Sequence, residues 1–340
     1  MRILFLTCGP DITASSRARV YQYLPYLRKV GIRATVVPAV CRGQARKIAN
    51  NLKLSLVDKI YGKIYTSLQM VRFILLSPFS DIIFIQKVIL PAALVRLIGW
   101  INPHIVFDFD DTVFMRQEAF FLRYAKRVVV SNDFLKEIIS GIQGADISVL
   151  STPVDVIRFS VKKDAGQHLV IGWIGSALTS VYLRDLKCVF VALSRRYTQV
   201  RFEFIGADNY YKGLPGYTVR DWSFAREPQD LAGFDIGIMP LRDDQWCRGK
   251  AGYKLLQYMA CGIATISSPV GVNSQIIADG VNGLLAGSPE EWLEKFCLLI
   301  DDPELRQCLG RGGRKTAQES YSYEVNSPKL IDILKSAAKK

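Results

Sequence analysis

The sequence predicts an α/β protein built from two doubly wound parallel sheets, and three observations carry that prediction. A β-loop-α-β start runs from an apolar strand at Ile3 to Thr7, through a helix ending at Gly31, to a second strand at Ile32 to Val37. The same alternation begins again with a strand at Leu169 to Ile174. Between the two series lies a polar segment around Pro153, which is typical of a linker between domains.

The first series continues with short apolar or β-branched runs separated by helical patterns. The predicted strands are Ile82 to Ile85, Ile105 to Phe107, Val128 to Val130 and Ile147 to Leu150. A helix is expected over Ala92 to Ile101, and another after Ser131-Asn132, which are expected to cap it.

The second series follows the same logic to the end of the chain. The predicted strands are Val200 to Ile205, Asp235 to Met239 and Ile263 to Ile266. The predicted helices are Tyr182 to Tyr197, Gly252 to Ala260, Glu290 to Ile300, Pro303 to Leu309 and Asn326 to Ala338. Gly310 is expected to end the fourth of these helices.

Composition excludes several classes of protein. A chain of 340 residues that is 49% hydrophobic and 22% charged can bury two substantial cores. None of the seven cysteines forms a Cys-x-x-Cys pair, which favours a reduced cytoplasmic protein without structural metal. The apolar start is too short for a signal peptide, and no segment is long enough to span a bilayer. There is no helix-turn-helix or aromatic-basic RNA motif, so nucleic acid is not an expected partner.

The positive charge is concentrated in the first half of the chain. Of the net charge of +13, residues 1–150 carry 20 Lys/Arg against 10 Asp/Glu, and residues 151–340 carry 24 against 21. From Arg42 to Arg72, cations alternate with apolar residues at a four-residue step, and Asp58 is the single acid. This pattern predicts an amphipathic basic helix or helix pair. Two alternatives stay open: contact with an anionic membrane surface, or a covering helix whose apolar side faces its own domain.

Polar residues at the ends of the first-half strands are candidate ligands for an acceptor or a phosphate. Ser15, Ser16 and Arg17 fall where the first loop meets a helix, where free amides and an arginine suit an anion, although either serine alone could simply be an N-cap. Lys87 follows one strand, and Asp110 and Asp111 follow the next. We favour acceptor binding over metal for this Asp-x-Asp-Asp cluster; helix capping by Asp111 or pairing with Arg116 explains it equally well.

The most informative stretch runs from Cys247 to Gly287 and combines placed glycines and cations with a helix and a strand. Arg248, Lys250 and Lys254 surround the start of the predicted helix, where cations and free amides together suit an anion, although Lys254 could instead be an exposed solubilising lysine. The loop containing Pro269, Gly271 and Asn273 joins a strand to a helix, so its amides can also approach a ligand, unless it is only a capped turn. Upstream, Gly175 and Ser176 end another strand in a glycine-containing turn that admits a phosphate.

This stretch resembles the C-terminal domain of the family 4 glycosyltransferases, and the resemblance extends over nearly the whole chain. It rests on a strand ending in GIMPL, a loop, and then GYKLLQYMACGIATISSPVGVNSQIIADGVNGLLAG. The resemblance implies the GT-B fold, in which two Rossmann-like domains face each other across a cleft. It also implies an N-terminal acceptor domain over residues 1–152, a donor domain over 153–323, and a last helix, about 324–340, that packs back on the first domain.

The resemblance implies transfer of a sugar from a nucleoside-diphosphate sugar to a glycan or lipid-linked saccharide in cell-envelope polysaccharide synthesis, with retention and without cofactor or obligatory metal. Lys250 and Lys254, with Asp110 and Asp111 facing them, are then the expected catalytic residues. We expect a cytoplasmic protein, and contact with the inner face of the plasma membrane stays open.

One departure from the family separates this chain from its typical members. They carry two glutamates eight residues apart, and the matching positions here are Gly249 and Gln257. Gln257 keeps an oxygen that can accept a ribose hydroxyl proton, whereas Gly249 offers no side chain. A nucleotide-sugar epimerase or hydrolase, and a non-catalytic nucleotide-sugar-binding subunit, therefore stay open as alternatives.

Overall fold

Two parallel sheets organise the molecule, as predicted, and each has six strands, of which β9 and β12 of the second sheet were not predicted. The computed structural model describes residues 1–112, 119–141, 146–159 and 168–338. The first sheet has the strand order β2-β1-β3-β4-β5-β6, and the second has the order β12-β11-β10-β7-β8-β9. The strands of the first sheet are β1 (Arg2–Thr7), β2 (Arg33–Pro38), β3 (Ile82–Gln86), β4 (Ile105–Phe109), β5 (Arg127–Val130) and β6 (Asp146–Val149). Those of the second are β7 (Leu169–Ile174), β8 (Val200–Ile205), β9 (Tyr217–Arg220), β10 (Ile236–Met239), β11 (Ala264–Ser267) and β12 (Leu284–Leu285).

Helices connect the strands. Before β7, the α-helices are α1 (Ala14–Arg19), α2 (Leu24–Lys29), α3 (Arg42–Ala49), α4 (Leu56–Leu76), α5 (Ala92–Ile101) and α6 (Asp133–Ser140). After β7 they are α7 (Lys187–Arg196), α8 (Glu227–Ala232), α9 (Gln245–Arg248), α10 (Tyr253–Ala260), α11 (Asn273–Ile276), α12 (Pro289–Asp301), α13 (Pro303–Tyr321) and α14 (Tyr323–Ala338). Within the described ranges, no helix combines the length and the apolar character that crossing a bilayer requires.

Each sheet contains one point at which the strand order reverses direction. In the first sheet the chain leaves β1 toward β2 and returns to add β3 on the other side of β1. In the second sheet the chain runs from β7 to β8 and β9 and then returns to add β10 on the other side of β7. Ligands of open parallel sheets bind beyond the carboxyl ends of the strands at such reversal points. The loops after β1, β3, β7 and β10 are therefore the places to look for a site.

The last helix packs on the first sheet. Leu330, Leu334 and Ala337 of α14 are buried in one apolar cluster with Ile3 and Phe5 of β1. The two crossings of the chain between the sheets lie side by side, because the amide of Val154 donates a hydrogen bond of 2.8 Å to the carbonyl of Tyr321. We call the part around the first sheet, with α14, the first domain, and the part around the second sheet the second domain; their boundaries at 152 and 323 stay a prediction.

Helix α13 is longer than its sequence indicates. Gly310 was expected to end it, but the helix continues to Tyr321. A Cβ at Gly310 would come within 2.2 Å of the carbonyl oxygen of Gly262, and one at Gly312 within 2.3 Å of that of Val281. These glycines are helical residues that let α13 lie against neighbouring backbone, so the expected helix end is wrong.

Candidate functional site

A cleft lies between the two reversal points and is lined by both domains. Its volume is about 510 Å³, and its lining includes the loop after β1, the end of β7 and the segment that leads into α10. Of the residues expected at a site, seven line the cleft: Asp110, Asp111, Gly175, Ser176, Lys250, Lys254 and Gln257. These seven come from motifs that are far apart along the chain.

The two lysines of the second domain face the cleft without a carboxylate partner among the described residues. Lys254 Nζ lies 4.7 Å from the centroid of the Trp173 ring and 3.4 Å from Thr179 Oγ1. Lys250 Nζ lies 5.2 Å from the centroid of the Trp246 ring. Burial, together with the nearby charge of Lys250, lowers the pKa of Lys254 to about 7. Two amines that lack an ion pair among the described residues can together bind an anion in this cleft.

Two glycines make room for these lysines. A Cβ at Gly175 would come within 2.4 Å of the Trp173 ring and 2.9 Å of Lys254 Cε. Gly252 is the N-cap of α10 with φ of 66°, a left-handed conformation that favours glycine. No side chain caps the first turn of α10. Its backbone amides are thus available to a ligand beside the two lysines.

Gln257 points a buried amide into the cleft. It is 3% exposed, and its Nε2 has no hydrogen-bond partner among the described residues. Buried polar atoms are nearly always paired, so an unpaired one in a cleft indicates a missing ligand. The unpaired atom is the donor Nε2, whereas the role expected of Gln257 uses its side-chain oxygen, so that role stays a prediction.

The loop after β11 is held together by its own contacts. Asn273 is fully buried and its Nδ2 donates a hydrogen bond of 2.8 Å to Ser267 Oγ. Gly271 has φ of 56°, and a Cβ there would come within 2.6 Å of the carbonyl oxygen of Arg248. Pro269 is exposed. These three residues do not line the cleft, and their contacts fix the position of the segment that carries Lys250.

Two cations expected at an anion site have acidic partners instead. Arg248 is exposed and its Nε donates to Asp243 Oδ1 at 2.6 Å, outside the cleft. Arg17 is buried, and its Nη2 lies 3.0 Å from Glu227 Oε1 of the second domain. Arg158 Nη2 lies 3.3 Å from the other oxygen of the same carboxylate. Arg17 therefore joins the two domains through a carboxylate.

Ser15 and Ser16 lie inside α1, which begins at Ala14 after Thr13, so neither serine is an N-cap. Ser16 is fully buried and donates a hydrogen bond of 2.9 Å to Gln86 Oε1, while Gln86 Nε2 donates to Ser15 Oγ at 2.7 Å. These bonds tie the loop after β1 to the end of β3. The serines shape the first-domain wall of the cleft.

The first-domain side of the cleft contains an ion cluster. Lys87 Nζ lies 3.3 Å from Asp110 Oδ1 and also contacts Asp111 Oδ2. Burial opposes ionisation of Asp110, but Lys87, Ser15 and Arg19 outweigh it and hold its pKa below its ordinary value. Lys87 has φ of 53°, which is unusual for a residue with a side chain and is most often found at functional sites. Arg116, the other partner considered for Asp111, lies outside the described residues.

Sequence reasoning included Asp108 in the Asp-x-Asp-Asp cluster but did not indicate its partner. Asp108 lies within β4 and pairs with Arg19, both being 1% exposed. Glu227, which lines the cleft, was not singled out in the sequence. Asn132 caps α6 as predicted, but its Nδ2 also donates to the carbonyls of Gly249 at 3.3 Å and Lys250 at 3.2 Å. In the part of the chain that the structure describes, no group of three or more His, Cys, Asp or Glu could hold a metal ion.

Residues 169–302 match the family model described as Glycosyl transferases group 1. By this match, with the motif around Lys254, the second domain is similar to the group 1 glycosyltransferases. An uncharacterized glycosyltransferase of Methanocaldococcus jannaschii is 28% identical over 135 residues, covering 36% of this chain and 37% of that one. A GDP-mannose-dependent mannosyltransferase of Corynebacterium glutamicum, named for a phosphatidylinositol monomannoside, is 29% identical over 113 residues, 31% of this chain and 29% of that one. The chain thus spans only about a third of these relatives' lengths.

Solved structures confirm the predicted GT-B fold. A glycosyltransferase from Rickettsia africae superposes with a TM-score of 0.72 at 14% identity, covering 100% of this chain and 99% of that one. Anabaena Alr3699/HepE in complex with UDP and glucose superposes with a TM-score of 0.70 at 14% identity, covering 99% of this chain and 100% of that one. At this identity the likeness concerns the fold alone.

Proposed function

We propose that the protein transfers a sugar from a nucleoside-diphosphate sugar to a glycan or lipid-linked saccharide acceptor of the cell envelope. The observation that supports this proposal is the pair of amines of Lys250 and Lys254. Neither amine has an ion pair among the described residues, and both lie beside the first turn of α10, which no side chain caps. In this proposal the cations and amides bind the diphosphate and stabilise the charge that develops as it leaves. Gln257 accepts a ribose hydroxyl, and Gly175 and Ser176 let a phosphate approach the end of β7.

The first domain binds the acceptor in this proposal. Asp110 and Asp111, held by Lys87, accept hydrogen bonds from acceptor hydroxyls, and the loop of Ser15 and Ser16 forms the adjacent wall. The bond from the anomeric carbon to phosphate breaks and a bond to the acceptor oxygen forms on the same face. The acceptor proton passes to the leaving phosphate. Because the bond breaks and forms on the same face, the reaction retains the configuration of the anomeric carbon. We further propose that it needs no metal and takes place in the cytoplasm.

A thermal-shift screen tests the donor half of this proposal. Uridine, guanosine, thymidine and adenosine diphosphates, and their sugars, are added to the intact protein. The matching nucleotide at about 100 times its Kd is expected to stabilise the fold by about 2.7 kcal/mol. A shift that is equal for all four bases would argue for unspecific anion binding, and no shift with any would contradict a donor site. Release of free sugar without an acceptor would instead identify a hydrolase.

Donor binding is expected to weaken as the pH rises above 7. The pKa of Lys254 lies at about 7 in the empty cleft, so this amine loses its charge between pH 7 and 9, whereas a bound diphosphate favours the charged form. The Kd of a nucleotide sugar should then rise by about tenfold per pH unit in this window, with uptake of one proton at pH 8. Calorimetry in buffers of different ionisation enthalpy measures the uptake.

A nucleotide sugar suits this measurement because its diphosphate diester does not titrate near pH 7. Lys254→Arg is the control, since guanidinium stays charged throughout the range. Proton uptake that persists in Lys254→Arg would assign it to a different group.

Gly249 motivates one competing function. Because no carboxylate stands at that position, a non-catalytic nucleotide-sugar-binding subunit would show the thermal shift without turnover. Incorporation of labelled sugar from the matching nucleotide sugar into a lipid extract distinguishes the two functions.

A further inference from the structure

Helix α4 presents an apolar surface to solvent. Eight apolar side chains along it are each more than half exposed: Leu56, Val57, Ile60, Tyr61, Ile64, Leu68, Val71 and Leu75. The buried residues of this helix are Gly62 and Phe73. At 3.6 residues per turn, Ile60, Ile64 and Val71 lie on the side opposite those two. The alternative in which the apolar side faces its own domain is therefore wrong for this helix.

Cations border this apolar face on both sides. The helical period places exposed Lys59 and Lys63 along one edge and exposed Arg72 along the other. From residue 42 to residue 79 the sequence contains one acid, Asp58, and its carboxylate is 2.7 Å from Lys47 Nζ. The exposed α4 face is thus apolar at its centre and cationic at its edges, with its one acid already paired.

The same surface leads into the cleft. Ala45, Ile48 and Ala49 of α3 line the cleft, and Ile48 is 57% exposed. Leu52, between α3 and α4, is 58% exposed, so exposed apolar side chains follow the chain from the cleft lining to α4. An amphiphilic acceptor has apolar contacts along this path, with its head group toward Asp110.

We propose that the α4 face, defined as the exposed apolar residues of α4 with Lys59, Lys63 and Arg72, docks on an anionic lipid bilayer. Apolar side chains enter the boundary between head groups and acyl chains, while the flanking cations meet anionic head groups. A second copy of this chain is a poorer occupant, because a two-fold contact through this face brings the same cations together. The lipid-linked nature of the acceptor rests on the proposed transferase function; membrane docking does not.

Vesicle flotation tests the docking, with phosphatidylglycerol-containing vesicles compared with pure phosphatidylcholine. The intact protein should float with the anionic vesicles and be released by high salt. Replacing three cations, as Lys59→Gln, Lys63→Gln and Arg72→Gln together, should weaken partition by about fivefold per cation. The apolar variant Ile60→Ser, Ile64→Ser and Val71→Ser should lose binding at every salt concentration.

Matched controls come from exposed residues of the second domain. The charge control replaces Lys187, Arg195 and Lys212 by Gln, and the apolar control replaces Ile157, Val281 and Leu298 by Ser. Both controls should float like the unmodified protein. Equal loss in a control and its α4 counterpart would overturn the proposal, as would absence of salt-sensitive flotation.

Ultracentrifugation tests self-association through the same face. If the unmodified protein were a dimer and the apolar variant a monomer, the docking proposal would be overturned in favour of self-association. The nucleotide thermal shift, measured on every variant, reports the donor site separately. A variant that keeps this shift and loses flotation supports docking, whereas loss of the shift with flotation intact counts against the transferase function alone.

Discussion

Lys254→Met is expected to lower kcat/KM for the nucleotide sugar by about 10²- to 10³-fold, the size of effect seen when one charge-stabilising donor is removed from an active site. Methionine keeps the unbranched side chain that packs on Trp173 but cannot bind the leaving diphosphate. Steady-state kinetics with the nucleotide found by thermal shift give the measurement. Lys212→Met, an exposed lysine far along the second domain, is the control and should be fully active.

The same Lys254→Met variant is expected to be more stable than the unmodified protein. The pKa of Lys254 is lower in the folded state than in the unfolded chain, so burying its charged form costs folding free energy at every pH at which the amine is protonated. That cost is fully present below pH 7 and fades as the pH rises toward 10.5, the ordinary lysine value. The gain in Tm should therefore be largest at acidic pH. A variant with full activity, or one that loses activity and Tm together, would contradict the assigned role.

Glu227→Ala is expected to destabilise the protein by about 3–5 kcal/mol, because it leaves the buried guanidinium of Arg17 without its charged partner. Both side chains are 3% exposed, and Trp222 Nε1 also donates to the carboxylate at 3.1 Å. Urea unfolding monitored by tryptophan fluorescence measures the loss. Asp243→Ala removes the exposed partner of Arg248 and is the matched control, with an expected change below about 1 kcal/mol.

The double variant Arg17→Met, Glu227→Leu separates the ion pair from its surroundings. Replacing both charges by apolar residues is expected to recover most of the loss, since the unpaired charge and not the missing bond causes it. Because Arg17 belongs to the first domain and Glu227 to the second, the single variant should also broaden or split the unfolding transition. A single sharp transition shifted by less than about 1 kcal/mol would show that the pair contributes little.

The sequence predicts the parallel sheets well because buried strands are local apolar runs. Helix α10 and the residues around it are equally local, so Lys250 and Lys254 could be placed together from their spacing, whereas Gln257 was singled out by the resemblance to the family. The glycines of α13 were misread because a glycine usually ends a helix, and only the neighbouring backbone of Gly262 reveals why Gly310 does not.

Side-chain partners were the least predictable part of the site. Arg17 and Glu227 are 210 residues apart, and nothing in either segment indicates the other. Arg248 and Lys250 are neighbours in sequence, yet the turn after α9 directs one to Asp243 and the other toward the cleft. Contacts between distant parts of the chain decide which cation remains available to a ligand. The periodicity of the sequence gives no information on those contacts.

Gly249 connects the missing glutamate to the surface of the first domain. A Cβ at this position would come within 2.3 Å of Thr112 Cγ2 and 3.2 Å of Leu135 Cδ2, and Asn132 already binds its carbonyl. A Gly249→Glu change would therefore bring the new side chain against Thr112 and Leu135 of the opposite domain. The glycine at this position is thus coupled to the packing between the two domains. Any redesign of the sugar pocket has to change both domains at once.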